Sequence, residues 1–178
     1  GGIPMIKKIL AATLLVATLV PGLALADGPI NLALVPSIQI VNEAESVTAF
    51  RLGIWSRNAS MTGVDLGIVA QNTGSFTGLQ WTAFGTVGGD FTGWQNNWLA
   101  SIAQGNMQGL QVGAYTKSGM GSTGVQFGIV NTSDDFSGLQ LGFVNITETM
   151  RSGLQIGLIN IINNKEKLKV FPIVNWKF

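Results

Sequence analysis

SGLQIGLIN, residues Ser152 to Asn160, is the clearest copy of a unit that fills most of the chain. Its words recur as SGLQLGFVN (Ser137 to Asn145), TGVQFGIVN (Thr123 to Asn131), QGLQVGAYT (Gln108 to Thr116) and TGLQWTAFG (Thr77 to Gly85). Looser copies are TGWQNNWLA (Thr92 to Ala100), TGVDLGIVA (Thr62 to Ala70) and AFRLGIWS (Ala49 to Ser56), the last with Ala49 in place of the leading glycine. The leading glycines stand at Gly63, Gly78, Gly93, Gly109, Gly124, Gly138 and Gly153, a period of 15 residues with slips of one. A fixed period of this kind marks a repeat architecture before any single motif does.

Each copy alternates. In the last one Leu154, Ile156 and Leu158 share one face, and Gln155, Gly157 and Ile159 share the other. A period of two argues for strands throughout. The links, such as 72–75 and 132–135, are short and rich in turn formers. Two flanking segments also read as strands: INLALVPSIQIV (Ile30 to Val41), where Pro36 marks an edge or a bend, and VFPIVNWKF (Val170 to Phe178).

The beginning of the chain has a different composition. Residues 1–4 precede a plausible initiator, Met5; Lys7 and Lys8, the apolar run Ile9 to Val20, Pro21-Gly22 and Ala24-Leu25-Ala26 follow. This is the layout of a secretory signal peptide with cleavage before Asp27, so residues 1–26 are expected to be removed and 27–178 to form one all-β domain. Twelve apolar residues fall short of the roughly 20 that a membrane-spanning helix needs. Without Lys7 and Lys8, eight basic residues face nine acidic ones, so no basic field for nucleic acid remains.

Only 11% of the residues are charged, mean hydropathy is +0.36, and there are 24 glycines but no histidine or cysteine. Disulfides, thiolate nucleophiles, imidazole bases and the usual zinc and iron ligand sets are thereby excluded.

A row of such strands must either close or stack to bury a face. The leading expectation is an antiparallel outer-membrane-type β-barrel of about ten strands, counting the two flanks with the eight copies. Ten is even, and a strand of ~9–11 residues crosses a bilayer. The Leu/Ile/Phe face would meet lipid, and Arg51, Asp65, Gln80, Gln95, Gln111, Gln126, Gln140 and Gln155 would line the lumen. Trp176 and Phe178 on an alternating final strand resemble the C-terminal signal of such barrels, which implies outer-membrane lipid and the barrel-assembly machinery as partners. The alternative is a parallel β-solenoid with about 15 residues per coil. Every copy runs glycine first and asparagine near the end (Asn131, Asn145, Asn160), and stacked coils would turn those positions into glutamine and asparagine ladders.

The units GLQIGLIN, GLQLGFVN and GVQFGIVN, with the ending FPIVNWKF, resemble the bacterial surface-repeat proteins built from tandem Gly-Leu-Gln units. The resemblance covers roughly Ile30 to Phe178. It implies export to the envelope of a Gram-negative-type bacterium, as an outer-membrane or cell-surface protein, and it brings no catalytic residues. The middle departs from the pattern: Thr82 replaces the second glycine of its copy, and Asn96 and Asn97 stand where Leu-Gly or Ile-Gly is expected.

Few motifs carry chemistry. Gly119 to Gly124 satisfies G-x-G-x-x-G, but it leads into a strand rather than a helix and reads as a turn. Arg51 and Asp65 occupy the glutamine position of successive copies and are expected to pair. Asp90, Asp134, Asp135 and Glu148 are scattered over links and do not make a calcium site. Trp81, Trp94 and Trp98 form an aromatic patch, read as packing or interfacial anchoring together with Trp55 and Trp176, or as a sugar-stacking patch with Gln95, Asn96 and Asn97. No nucleophile, base pair or phosphate loop emerges, so the expectation is a non-catalytic protein without cofactor or metal: a barrel with a structural or narrow-pore role, or a solenoid acting as an adhesin or interaction surface.

Overall fold

The computed structural model describes residues 27–178; the expected signal peptide lies outside them. The fold is a parallel β-solenoid of about seven turns with about 15 residues per coil. One sheet winds through it in the order β2-β1-β3-β4-β5-β6-β7-β8-β9. β1 (Gly28–Val35) and β2 (Ile38–Gln39) open it, and β3 (Val47–Asn58), β4 (Met61–Asn72), β5 (Phe76–Val87), β6 (Phe91–Ala103) and β7 (Met107–Ser118) each wind round one coil. β8 (Ser122–Ile162) continues unbroken through the last coils, and β9 (Val170–Lys177) folds back on them.

The barrel expectation is thus overturned. From β1 to β8, successive coils pair in parallel, with like residues in register: Arg51 with Asp65, Asp65 with Gln80, Gln80 with Gln95, Gln95 with Gln111 and Gln111 with Gln126. Antiparallel pairing is confined to the two ends, β2 on β1 and β9 on β8. The physical reason is the one-directional grammar of the copies. Only parallel stacking puts every glycine on a glycine and every glutamine on a glutamine.

The leading glycines make the first bend of each coil. Gly63, Gly78, Gly93, Gly109, Gly124 and Gly138 have φ between 118° and 143°, a region closed to other L-residues at little cost. A Cβ at Gly109 would also overlap the carbonyl oxygen of Gly93 one coil earlier. Ala49 escapes this requirement. There β1 is irregular, passing from Gly28↔Val47 to Ile30↔Phe50, so a single residue of β1 spans two of β3.

Strict alternation holds only along the walls. In the last copy Gln155 and Asn160 are buried while Ile156, Leu158 and Ile159 are exposed, so the chain turns a convex corner between Leu158 and Ile159. The slips in the period are absorbed locally. The extra residue of the coil after Gly93 bulges out at Trp98-Leu99, between the pairs Thr82↔Asn97 and Phe84↔Ala100.

The interior has two compartments. One is a column of apolar side chains just ahead of the glycines: Met61, Phe76, Phe91, Met107, Phe136 and Met150, closed in by Val41, Val47, Val87, Ala103 and Ile162. Phe76 and Phe91 stack with ring centroids 5.5 Å apart. The other compartment is polar.

Candidate functional site

The polar compartment is a buried amide ladder. Gln80, Gln95, Gln111, Gln126, Gln140 and Gln155 are fully buried. Each donates its Nε2 hydrogen to the side-chain oxygen one coil before it: Gln155 to Gln140 at 2.7 Å, Gln140 to Gln126 at 2.6 Å, Gln126 to Gln111 at 2.9 Å, Gln111 to Gln95 and Gln95 to Gln80 at 2.8 Å. Gln80 donates to Asp65 Oδ2 at 2.9 Å. All these dipoles therefore point their positive ends toward the Asp65 carboxylate. Arg51 completes the column, donating from Nε and Nη2 to the two oxygens of Asp65 at 2.8 and 2.7 Å, with both side chains fully buried. The row read from sequence as lumen or ladder is a ladder closed to solvent, so it can neither pass a solute nor present a binding surface.

A second ladder runs beside it. Asn131 donates to Asn145 at 2.8 Å and Asn145 to Asn160 at 2.7 Å. These side chains lie against the second glycines of the copies: a Cβ at Gly142 or Gly157 would press on the Asn131 or Asn145 amide. The departures at Thr82 and Asn97 now have a reason. In those two coils the inward group comes from the opposite wall, with Thr82 Oγ1 donating to Asn97 Oδ1 at 2.7 Å and Asn97 Nδ2 to Gln80 Oε1 at 3.0 Å. Correspondingly, the asparagine position is occupied by Gly85 in one and Ser101 in the other. A Cβ on Gly85 would overlap the Asn97 amide.

The outside is apolar where the inside is polar. Between the glycine bend and the convex corner, three outward columns cover one wall from β3 to the end of β8. The middle one runs Leu52, Leu66, Trp81, Asn96, Val112, Phe127, Leu141 and Ile156, and the next runs Ile54, Ile68, Ala83, Trp98, Ala114, Ile129, Phe143 and Leu158. Phe50, Val64, Leu79, Trp94, Leu110, Val125, Leu139 and Leu154 form the third. Asn96 is the one polar residue in these columns. Between the Leu52 and Ile54 columns, over the peptides of Gly113, Gly128, Gly142 and Gly157, runs an apolar groove of about 790 Å³, ending at Trp98 on one side and Ile173 of β9 on the other. Just before the glycine bend, by contrast, the outward residues are Thr62, Thr77, Thr92, Gln108, Thr123, Ser137 and Ser152.

Trp81, Trp94 and Trp98 lie on this apolar wall, whereas Trp55 stands past the convex corner and donates to Gln71 Oε1 at 3.2 Å. Trp81 and Trp94 are in contact, with ring centroids 6.1 Å apart, and Trp98 projects from the bulge beside them. The sugar-stacking reading fails on its polar partners, because Gln95 and Asn97 are buried and only Asn96 points outward. Trp176 is exposed on β9, which pairs antiparallel with the last coil rather than closing a barrel, and Phe178 is exposed just beyond it; Lys165 Nζ lies 5.7 Å over the Trp176 ring.

The remaining motifs are structural. Gly119 to Gly121 form a turn into β8, where Ser122 donates to the Gly119 carbonyl at 2.9 Å. Asp135 pairs with Arg151 at 2.7 Å, and no three acidic side chains converge among the described residues. The Phe/Met column went unread in the sequence although its signal was present, an apolar residue two places before five of the seven leading glycines, with Ser122 and Arg151 at the other two. No family model, curated protein or solved structure matches this chain.

Proposed function

We propose that this chain is an exported, non-catalytic β-solenoid repeat protein of the bacterial cell surface, acting as an interaction surface through its apolar wall. The observation that carries the reading is the inversion of the molecule. Hydrogen-bonded amides fill much of the interior, while leucine, isoleucine, phenylalanine and tryptophan stand outside in continuous columns. Monomeric soluble proteins rarely expose an apolar patch larger than a few hundred Å² unless it binds something. The leader-like composition of residues 1–26 supports export, and the Gly-Leu-Gln units support the envelope as destination. Barrel-assembly machinery has no part in this reading, because its role followed from the barrel.

The reading is tested by labelling intact producing cells with a membrane-impermeant amine reagent. Lys165, Lys167 and Lys169 are on the surface of the C-terminal cap. Labelled protein whose first residue is Asp27 is the expected result. Protein that stays unlabelled in the cytosol with residues 1–26 attached would sink the proposal.

A further inference from the structure

The apolar wall has a texture that selects its occupant. Its side-chain columns are spaced along the solenoid axis by the separation of neighbouring strands, about 4.8 Å, and across it by two residues, about 6.6 Å. The groove over Gly113, Gly128 and Gly142 is therefore one side-chain column wide and several coils long. A column with the same axial spacing fits such a groove, and the ridge beside it, Phe127 with Leu141 and Ile156, is such a column.

We infer that the occupant is a second copy of this chain, packed wall to wall about a twofold axis so that the ridge of each copy fills the groove of the other. This deepens the interaction-surface reading and rests on the same wall. Two sheets meeting in this way interdigitate about 10 Å apart and exclude water. Size agrees with the inference: the strand spacing and rise above give a wall of roughly 700 Å², close to the ~800 Å² per partner of a standard interface. Charge agrees too, since no ionisable residue stands in the three columns and like copies meet without repulsion. A lipid surface is the weaker fit, because residues 27–178 carry eight basic against nine acidic residues and offer anionic headgroups no net attraction.

The test is the mass of the purified full chain by sedimentation over a range of concentrations, in buffer and with phosphatidylcholine vesicles. A discrete dimer without detergent is expected. Phe127→Lys and, separately, Phe143→Asp place a charge on the exposed wall without touching the interior. Each is expected to weaken the dimer at least about a hundredfold, because the charge would be buried unpaired, with far-ultraviolet dichroism unchanged. Thr86→Lys, past the convex corner in the column that already carries Arg57 and Lys117, leaves the dimer intact. A monomer at all concentrations, a dimer that survives both wall substitutions, or vesicle binding without dimerisation would each overturn the inference. A dimer that is never exported would count against the cell-surface reading and leave this one standing.

Discussion

Arg51 and Asp65 show how a charge is kept inside a repeat of amides. Both are fully buried, and the guanidinium also donates to Asn58 Oδ1 and Asn72 Oδ1 at 3.1 Å. A buried ion pair adds little net stability over a well-matched uncharged replacement, but removing one partner strands the other charge. Asp65→Asn is accordingly expected to lower stability by ~3–5 kcal/mol, read as a shift of the urea unfolding midpoint. The double substitution Arg51→Gln/Asp65→Gln extends the amide ladder by two steps and should recover most of that loss. If the double variant unfolds as early as the single one, the ladder is not the element that holds this end together.

A coil is held by agreement between its walls. Gly85 has ordinary backbone geometry, so what excludes a side chain there is the pair of amides it faces, Asn97 arriving from the next coil and Gln80 from its own. Gly85→Ala alone should therefore destabilise, Asn97→Gly alone should leave Thr82 Oγ1 without its acceptor and Gln80 Oε1 with one donor, Gln95, instead of two, and the double variant should lose less than the sum of the two. A coupling of at least about 1 kcal/mol is expected from contact at this distance, measurable by a double-mutant cycle in denaturant; strict additivity would disprove the shared space. The same coil shows what could be read from sequence alone. Thr82 and Asn97 were visible as departures from the unit, but their compensation by Gly85 and Ser101 requires knowing that the two walls face each other. Likewise the alternation of Gln155 and Ile156 defines two faces without saying which is inside. An apolar outer face is common to a barrel in lipid and to this solenoid, and Trp176 and Phe178 tipped the expectation toward the barrel. The signal for parallel stacking was the direction of the words, glycine first and asparagine last. The corner at Leu158-Ile159 left no signal, because both residues are apolar and outward.

At the scale of the whole molecule, a stack of identical coils has no intrinsic end. Each terminal coil offers an unpaired strand edge and a half-satisfied ladder, which is a template for further chains. At the C-terminal end β9 blocks this by reversing direction. Asn175 sits opposite Gln155 but turns its amide aside, donating to the carbonyls of Lys169 at 3.1 Å and Asn160 at 3.3 Å, while Lys165 Nζ donates to its Oδ1 at 2.7 Å. Gln155 Oε1 is left buried without a partner, so the ladder stops one bond short of continuing. Removing residues 165–178 would uncover that oxygen together with the edge of the last coil. Such a chain should keep its β-rich dichroism yet associate end to end in a concentration-dependent manner, seen as growing light scattering and thioflavin fluorescence, whereas the full chain should not. Retention of the full chain's assembly state by the truncated protein would mean that β9 is dispensable as a cap and that the reversed strand serves only the wall, through Ile173 at the end of the groove.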